Sequence, residues 1–116
     1  MTTYNKGDVV LVPFPFSNQI GSKKRPAIII SSQNYNKSKQ DLIIMAITSQ
    51  ISKTLKLGEC AIQDWKSAGL IKQSSIKPLI SSIEQSLILK KLGNLSPSDI
   101  TSLNKILKEI LDLSFL

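Results

Sequence analysis

Arginine occurs once in this chain. Fourteen of the fifteen basic residues are lysine, the exception is Arg25 in Gly21-Ser22-Lys23-Lys24-Arg25-Pro26, and histidine is absent. A guanidinium is a rigid five-donor fork that grips a phosphate through two oxygens at once, whereas an ammonium is a mobile point charge. A lone arginine among lysines is either a chance remainder of a lysine-rich composition or a group placed for its shape. A second pair of groups bears on the choice. Thr48 and Ser49 close the apolar run Asp41-Leu42-Ile43-Ile44-Met45-Ala46-Ile47, so their hydroxyls stand at the mouth of a strand. If the strand after Arg25 and the strand before Ser49 are antiparallel neighbours, Arg25 and Thr48 face each other across one rim of a sheet. They then offer a guanidinium to a phosphate and a hydroxyl donor to an adjacent oxygen. Lys23, Lys24 and Lys53 would surround the pair with positive potential. The plainer alternatives are a surface Arg25 paired with Asp8 or Asp41, a Thr48 present only for its strand preference, and a solvated Lys23-Lys24 loop tip.

The inventory excludes much other chemistry. Cys60 is the single cysteine, so neither an intrachain disulfide nor a thiolate metal cluster can form. Without histidine, Ser-His and Cys-His catalysis are also excluded. The 116 residues are 41% hydrophobic, which suits one folded domain spanning 1–116 with a real core. A net charge of +7 and a pI near 9.7 make polyanions the first partners to consider and acidic proteins the second. Met1 to Lys6 lacks an apolar signal core, and no stretch is long enough to span a bilayer. A cytoplasmic protein without membrane partners is expected.

The elements that must position these groups follow from local patterning. Asp8 to Val12, stopped by Pro13-Phe14-Pro15, reads as a first strand, and residues 16–24 as a polar loop. Pro26 opens a buried strand, Ala27 to Ser32, at the one position where a proline loses no ladder donor. Residues 33–40 read as a second polar loop, 41–49 as a long third strand and 57–62 as a weak fourth. Residues 63–68 suggest one or two helical turns ended by Gly69. Ser75 to Ile83 is strand-like, with Pro78 marking an edge or a bulge, while 87–92 fits either a short strand or a helical turn. Ser96-Pro97-Ser98-Asp99 supplies an N-cap, a proline at the first helical position and an acid at the third. Ile100, Leu103, Ile106, Leu107, Ile110 and Leu111 then form one stripe of a C-terminal amphipathic helix. Short strands with one such helix predict a mainly β, α+β fold built on a small, partly closed barrel.

The chain resembles the MazF/PemK (Kid-type) toxin family of ribosome-independent endoribonucleases. The matching residues are Lys6-Gly7-Asp8-Val9-Val10, then Gly21-x-x-x-Arg25-Pro26-Ala27-Ile28-Ile29-Ile30-Ser31, then Ala46-Ile47-Thr48-Ser49-Gln50-Ile51. Gly69-Leu70, Lys77-Pro78 and Leu89-x-x-Leu92-Gly93-x-Leu95-Ser96 continue the match, over about residues 6–111. The resemblance implies an SH3-like barrel of the MazF/PemK/CcdB type, a homodimer, and cleavage of single-stranded RNA without metal or cofactor. It implies attack of the ribose 2′-OH on the adjacent phosphate, leaving 2′,3′-cyclic phosphate and 5′-OH ends. The family's catalytic arginine and threonine map onto Arg25 and Thr48, and Lys23, Lys24, Ser49, Gln50, Lys53 and Lys77 complete the expected RNA-binding set. A cognate antitoxin with an acidic tail covering the RNA groove is the implied protein partner.

Two departures from the family pattern concern the general base. Residues 19–24 hold neither the Glu nor the His that some members place there, and no late acid aligns as a base. Arginine stays protonated at ordinary pH, so electrostatic stabilisation and positioning are expected to supply most of the acceleration. Two other function classes share the barrel. A CcdB-like gyrase poison would rely on a tryptophan-bearing apolar C-terminal tip, but the chain ends Leu113-Ser114-Phe115-Leu116 and its Trp65 lies elsewhere. A non-catalytic RNA-binding module would need stacking surfaces, and only 5% of the residues are aromatic.

Overall fold

The computed structural model describes residues 3–13 and 23–113. In chain order they form β1 (Asp8–Pro13), β2 (Lys24–Ile29), α1 (Gln33–Ser38), β3 (Asp41–Thr48) and β4 (Cys60–Ala61). There follow β5 (Ser75–Glu84), a 3-10 turn (Gln85–Leu87), β6 (Lys90–Asn94) and α2 (Pro97–Leu111). The strands make one antiparallel sheet in the order β4-β5-β3-β2-β1-β6. It curls into a half-barrel closed off by the C-terminal helix, the mostly β architecture with an SH3-like barrel expected above.

The central strands read as continuous apolar runs because both of their faces are buried. Val9, Ile28, Met45 and Ile47 lie on one face and pack with Leu103, Ile106 and Leu107 of α2. Val10, Val12, Ala27, Ile29, Ile44 and Ala46 lie on the other, where the curled sheet encloses them with Leu42 and Ile83. Full burial of a side chain such as Ile28 or Ile44 contributes about 1.5–3 kcal/mol. Those two layers fix strand register, since a slip of one residue would exchange the faces.

Helix α2 begins as its sequence predicts. The Ser96 side chain accepts from the Asp99 N–H, and Pro97 occupies the first turn. The reciprocal half of the capping box is absent. Asp99 turns inward to 1% exposure and accepts the backbone N–H groups of Gln63 and Asp64, both at 2.9 Å. It thereby ties the helix start to the turn at 63–69, which ends in a Schellman arrangement: Leu70 N–H donates to Trp65 O and Gly69 N–H to Lys66 O. Gly69 has φ +84°, and a Cβ there would lie 2.1 Å from the carbonyl oxygen of Leu92 on β6.

Several elements differ from their sequence reading. Strand β2 starts at Lys24, so Arg25 lies within it, because Lys24 and Arg25 pair with Pro13 and Val12 of β1. The segment expected as a polar loop at 33–40 contains α1, nucleated by Ser32, whose side chain accepts the Tyr35 N–H. Strand β4 is reduced to two residues, and the ambiguous 87–92 segment divides into the 3-10 turn and β6. Residues 16–22 of the expected loop and the last three of the C-terminal tip lie outside the described residues. No helix among the described residues is long and apolar enough to cross a membrane.

Candidate functional site

Strands β2 and β3 are antiparallel neighbours, paired Ala27 with Ala46, Ile28 with Met45 and Ile29 with Ile44. Continuing that register by two places sets Arg25 opposite Thr48. Alternation along each strand also puts their side chains on one face, that of Ala27 and Ala46. The hydrogen-bonded ladder nevertheless stops at Ala27 and Ala46, for a reason legible in one residue. Ile30 N–H donates to Ile43 O at 2.9 Å, so the even-numbered residues of β2 direct their backbone groups toward β3. Pro26 is the next in that series after Ile28 and has no N–H to give, so, against the reading from sequence, it does cost the ladder a donor. Beyond it β2 stays with β1, while β3 stays with β5 through Ile47–Ile76 and Thr48–Ser75. The sheet forks.

A cavity of about 330 Å³ opens in the fork. From the β2 side it is lined by Lys23, Lys24, Arg25 and Pro26, and from the β3 side by Ile47, Thr48, Ser49 and Gln50. Leu70, Ile71, Lys72 and Ser74, on the segment leading into β5, close it. Arg25 is exposed and makes no hydrogen bond or ion pair among the described residues. The alternatives that would occupy it are not realised. Asp8 is buried and engages Lys91 at 3.3 Å and the Asn5 N–H at 2.9 Å. Asp41 lies at the far end of β3 opposite Glu84, ~23 Å along the strand from Thr48. The Thr48 Oγ1 accepts the Gln50 N–H at 3.0 Å, which leaves its own O–H to donate. Four cations and no acid are among the described lining residues, so the cavity carries a concentrated positive potential.

Six of the eight residues singled out from sequence meet here: Arg25, Thr48, Lys23, Lys24, Ser49 and Gln50. Lys53 and Lys77 do not line the cavity. Lys53 sits in the exposed stretch 49–57. Lys77 lies on a bulge where Lys77, Pro78 and Leu79 of β5 oppose only Ala46 of β3, which leaves all three exposed. The edge-or-bulge reading of Pro78 is thus what displaces Lys77. Sequence reasoning missed Leu70, Ile71, Lys72 and Ser74. The available signal was Gly69: a turn that reverses there must return its following residues toward the sheet.

Two other features lie apart from the cavity. A hollow of about 360 Å³ at the opposite end of β3 and β5 is lined in part by Tyr4, Asn36, Lys39 and Gln85, but Asn36 and Gln85 spend their amide donors on Tyr4 O, Ser31 O, Asn36 O and Lys39 O. Cys60 is also outside, its thiol pushed above the ordinary range by burial and then by the Asp99 carboxylate.

Residues 5–111 match the profile of the family described as PemK-like, MazF-like toxin of type II toxin–antitoxin system. The chain belongs to that family. Its fold is shared with an endoribonuclease from a mycobacterial species solved with its cognate antitoxin, at TM-score 0.75 and 16% identity over 97% of each chain. MazF from Deinococcus radiodurans aligns with TM-score 0.75 and 16% identity over 97% of this chain and 100% of its own. The Mycobacterium tuberculosis toxin MazF-mt6 aligns with TM-score 0.72 and 16% identity, covering 91% of this chain and 97% of its own. Sequence comparison with curated proteins finds no match.

Proposed function

We propose that this chain is the toxin of a type II toxin–antitoxin system and acts as an endoribonuclease on single-stranded RNA, with Arg25 and Thr48 as its catalytic residues. The observation that carries the reading is their shared cavity, in which neither the guanidinium nor the Thr48 hydrogen has a partner among the described residues. The reaction is a transphosphorylation. The ribose 2′-oxygen bonds to phosphorus, the bond from phosphorus to the 5′-oxygen breaks, the 2′-OH proton is released, and the departing 5′-oxygen is protonated. Negative charge accumulates on the non-bridging oxygens as the five-bonded phosphorus forms. Arg25 grips two of those oxygens and Thr48 donates to one, in a site preset by the two strands. A single preorganised donor of this kind contributes roughly 10²–10³ in rate. The need for a 2′-OH separates RNA from DNA.

Lys23, Lys24 and Lys72 draw the RNA backbone into the fork, with Ser49 and Gln50 at its rim. The same positive surface suits an acidic antitoxin tail, and occupation of the cavity by that tail would block RNA. The relatives solved as complexes, from a mycobacterial species and from Deinococcus radiodurans, hold an antitoxin. A homodimer is part of the proposal. The test is incubation of the purified chain with end-labelled RNA in EDTA, beside Arg25→Ala and Thr48→Ala. The expected result is 5′-OH fragments from the wild type and their loss in both variants. Binding without cutting would assign the chain to the non-catalytic modules, and neither binding nor cutting would favour a gyrase poison.

A further inference from the structure

Ser75 is the first residue of β5, the register partner of Thr48 on one side and of Ala61 on the other. It is 3% exposed, and its Oγ is buried with no hydrogen-bond partner among the described residues. A buried hydroxyl in that condition is a standing cost to folding. Alanine would fill the same place in the ladder, beside Ala61, without the cost. Stability alone therefore gives no reason for a serine here.

Its neighbour supplies one. Directly paired residues of antiparallel strands share a face, with Cβ atoms about 4.5–5.5 Å apart, and a hydroxyl pair at that spacing meets by side-chain rotation. The Thr48 oxygen has two lone pairs and one hydrogen. Gln50 N–H occupies one lone pair, and the second has no donor among the described residues. Ser75 does not line the cavity, whereas Thr48 does, and in the order β5-β3-β2 it flanks Thr48 on the side away from Arg25. We infer that Ser75 is a positioning residue for Thr48: with substrate in place its O–H donates to Thr48 Oγ1, and Thr48 in turn donates to a phosphate oxygen. With both lone pairs taken, the Thr48 hydrogen has one direction left, into the fork. Each hydrogen bond in such a chain also polarises the next. No proton changes owner; the effect is orientation and donor strength.

The inference rests on the proposed ribonuclease function. The test compares the wild type with Ser75→Ala in the full chain by thermal melting and by steady-state RNA cleavage. Removing a buried hydroxyl that has no partner among the described residues should raise Tm by roughly 3–6 °C. Losing the donor behind Thr48 should lower kcat by about tenfold while KM changes by less than about twofold. A stabilised but slower variant is the expected signature. An unchanged kcat would overturn the inference, and so would a lower Tm or failure to fold, which would make the hydroxyl a structural group. A wild type that does not cleave RNA would instead remove the function on which the inference stands.

Discussion

Arg25→Lys separates the geometry of the guanidinium from its charge. The side chain is exposed and has no partner among the described residues, so the substitution should cost folding no more than about 0.5 kcal/mol. For 116 residues the unfolding entropy near Tm is about 0.24 kcal/mol/K, which limits the change in Tm to roughly 2 °C. Catalysis should respond differently. Lysine keeps the positive charge but replaces a two-pronged grip by a single mobile contact. The lost charge-assisted hydrogen bond is worth about 1.5–3 kcal/mol, or roughly 10- to 150-fold in kcat. Because the charge is retained, the salt dependence of RNA binding should stay close to that of the wild type. Single-turnover cleavage of a labelled RNA at two salt concentrations, with a melting curve for each protein, reads all three quantities. Cleavage within about threefold of wild type would refute the reasoning, since the fork would then be irrelevant. A fall in Tm well beyond 2 °C would show that Arg25 has a structural partner after all.

Other consequences follow from the same geometry. Lys72→Ala should raise KM for RNA several-fold with little change in kcat, because Lys72 lines the cavity while the reacting groups stay in place; Lys53→Ala and Lys77→Ala, outside it, should have smaller effects on the same steady-state assay. Asp99→Ala leaves two backbone N–H groups without their carboxylate and should cost about 2–4 kcal/mol, a drop in Tm of roughly 8–16 °C by calorimetry. Cys60, with its pKa raised, should react slowly with iodoacetamide at neutral pH and accelerate only above the usual thiol range. The folded state holds that proton more tightly than the unfolded chain, so the thiol's contribution to stability is intact below the ordinary thiol pKa and is lost as pH rises through the folded value. Replacing Cys60 by alanine should flatten that alkaline loss in a series of melts.

Local sequence determined the groups and most of their carriers. A lone arginine and a strand-end threonine need no neighbours to be noticed. Strand β3, the cap of α2 at Ser96-Pro97 and the stop at Gly69 rest on backbone preferences that act over a few residues. The family pattern was legible in the same residues. Tertiary structure decided how those pieces combine. Lys77 was removed from the site by a bulge whose size depends on the pairing of β5 with β3, and Lys72 was brought in by a turn anchored to Asp99, 35 residues farther along the chain from Asp64. The short helix at 33–38 is not legible in the sequence because five of its six residues are polar and Tyr35 alone makes no periodic apolar stripe. The fork itself depends on which side of β2 faces β3. The reading of Pro26 as costing no ladder donor fails in the sheet: the bond from Ile30 N–H to Ile43 O shows that the absent N–H falls on the β3 side, where the ladder ends and a cavity opens between Arg25 and Thr48.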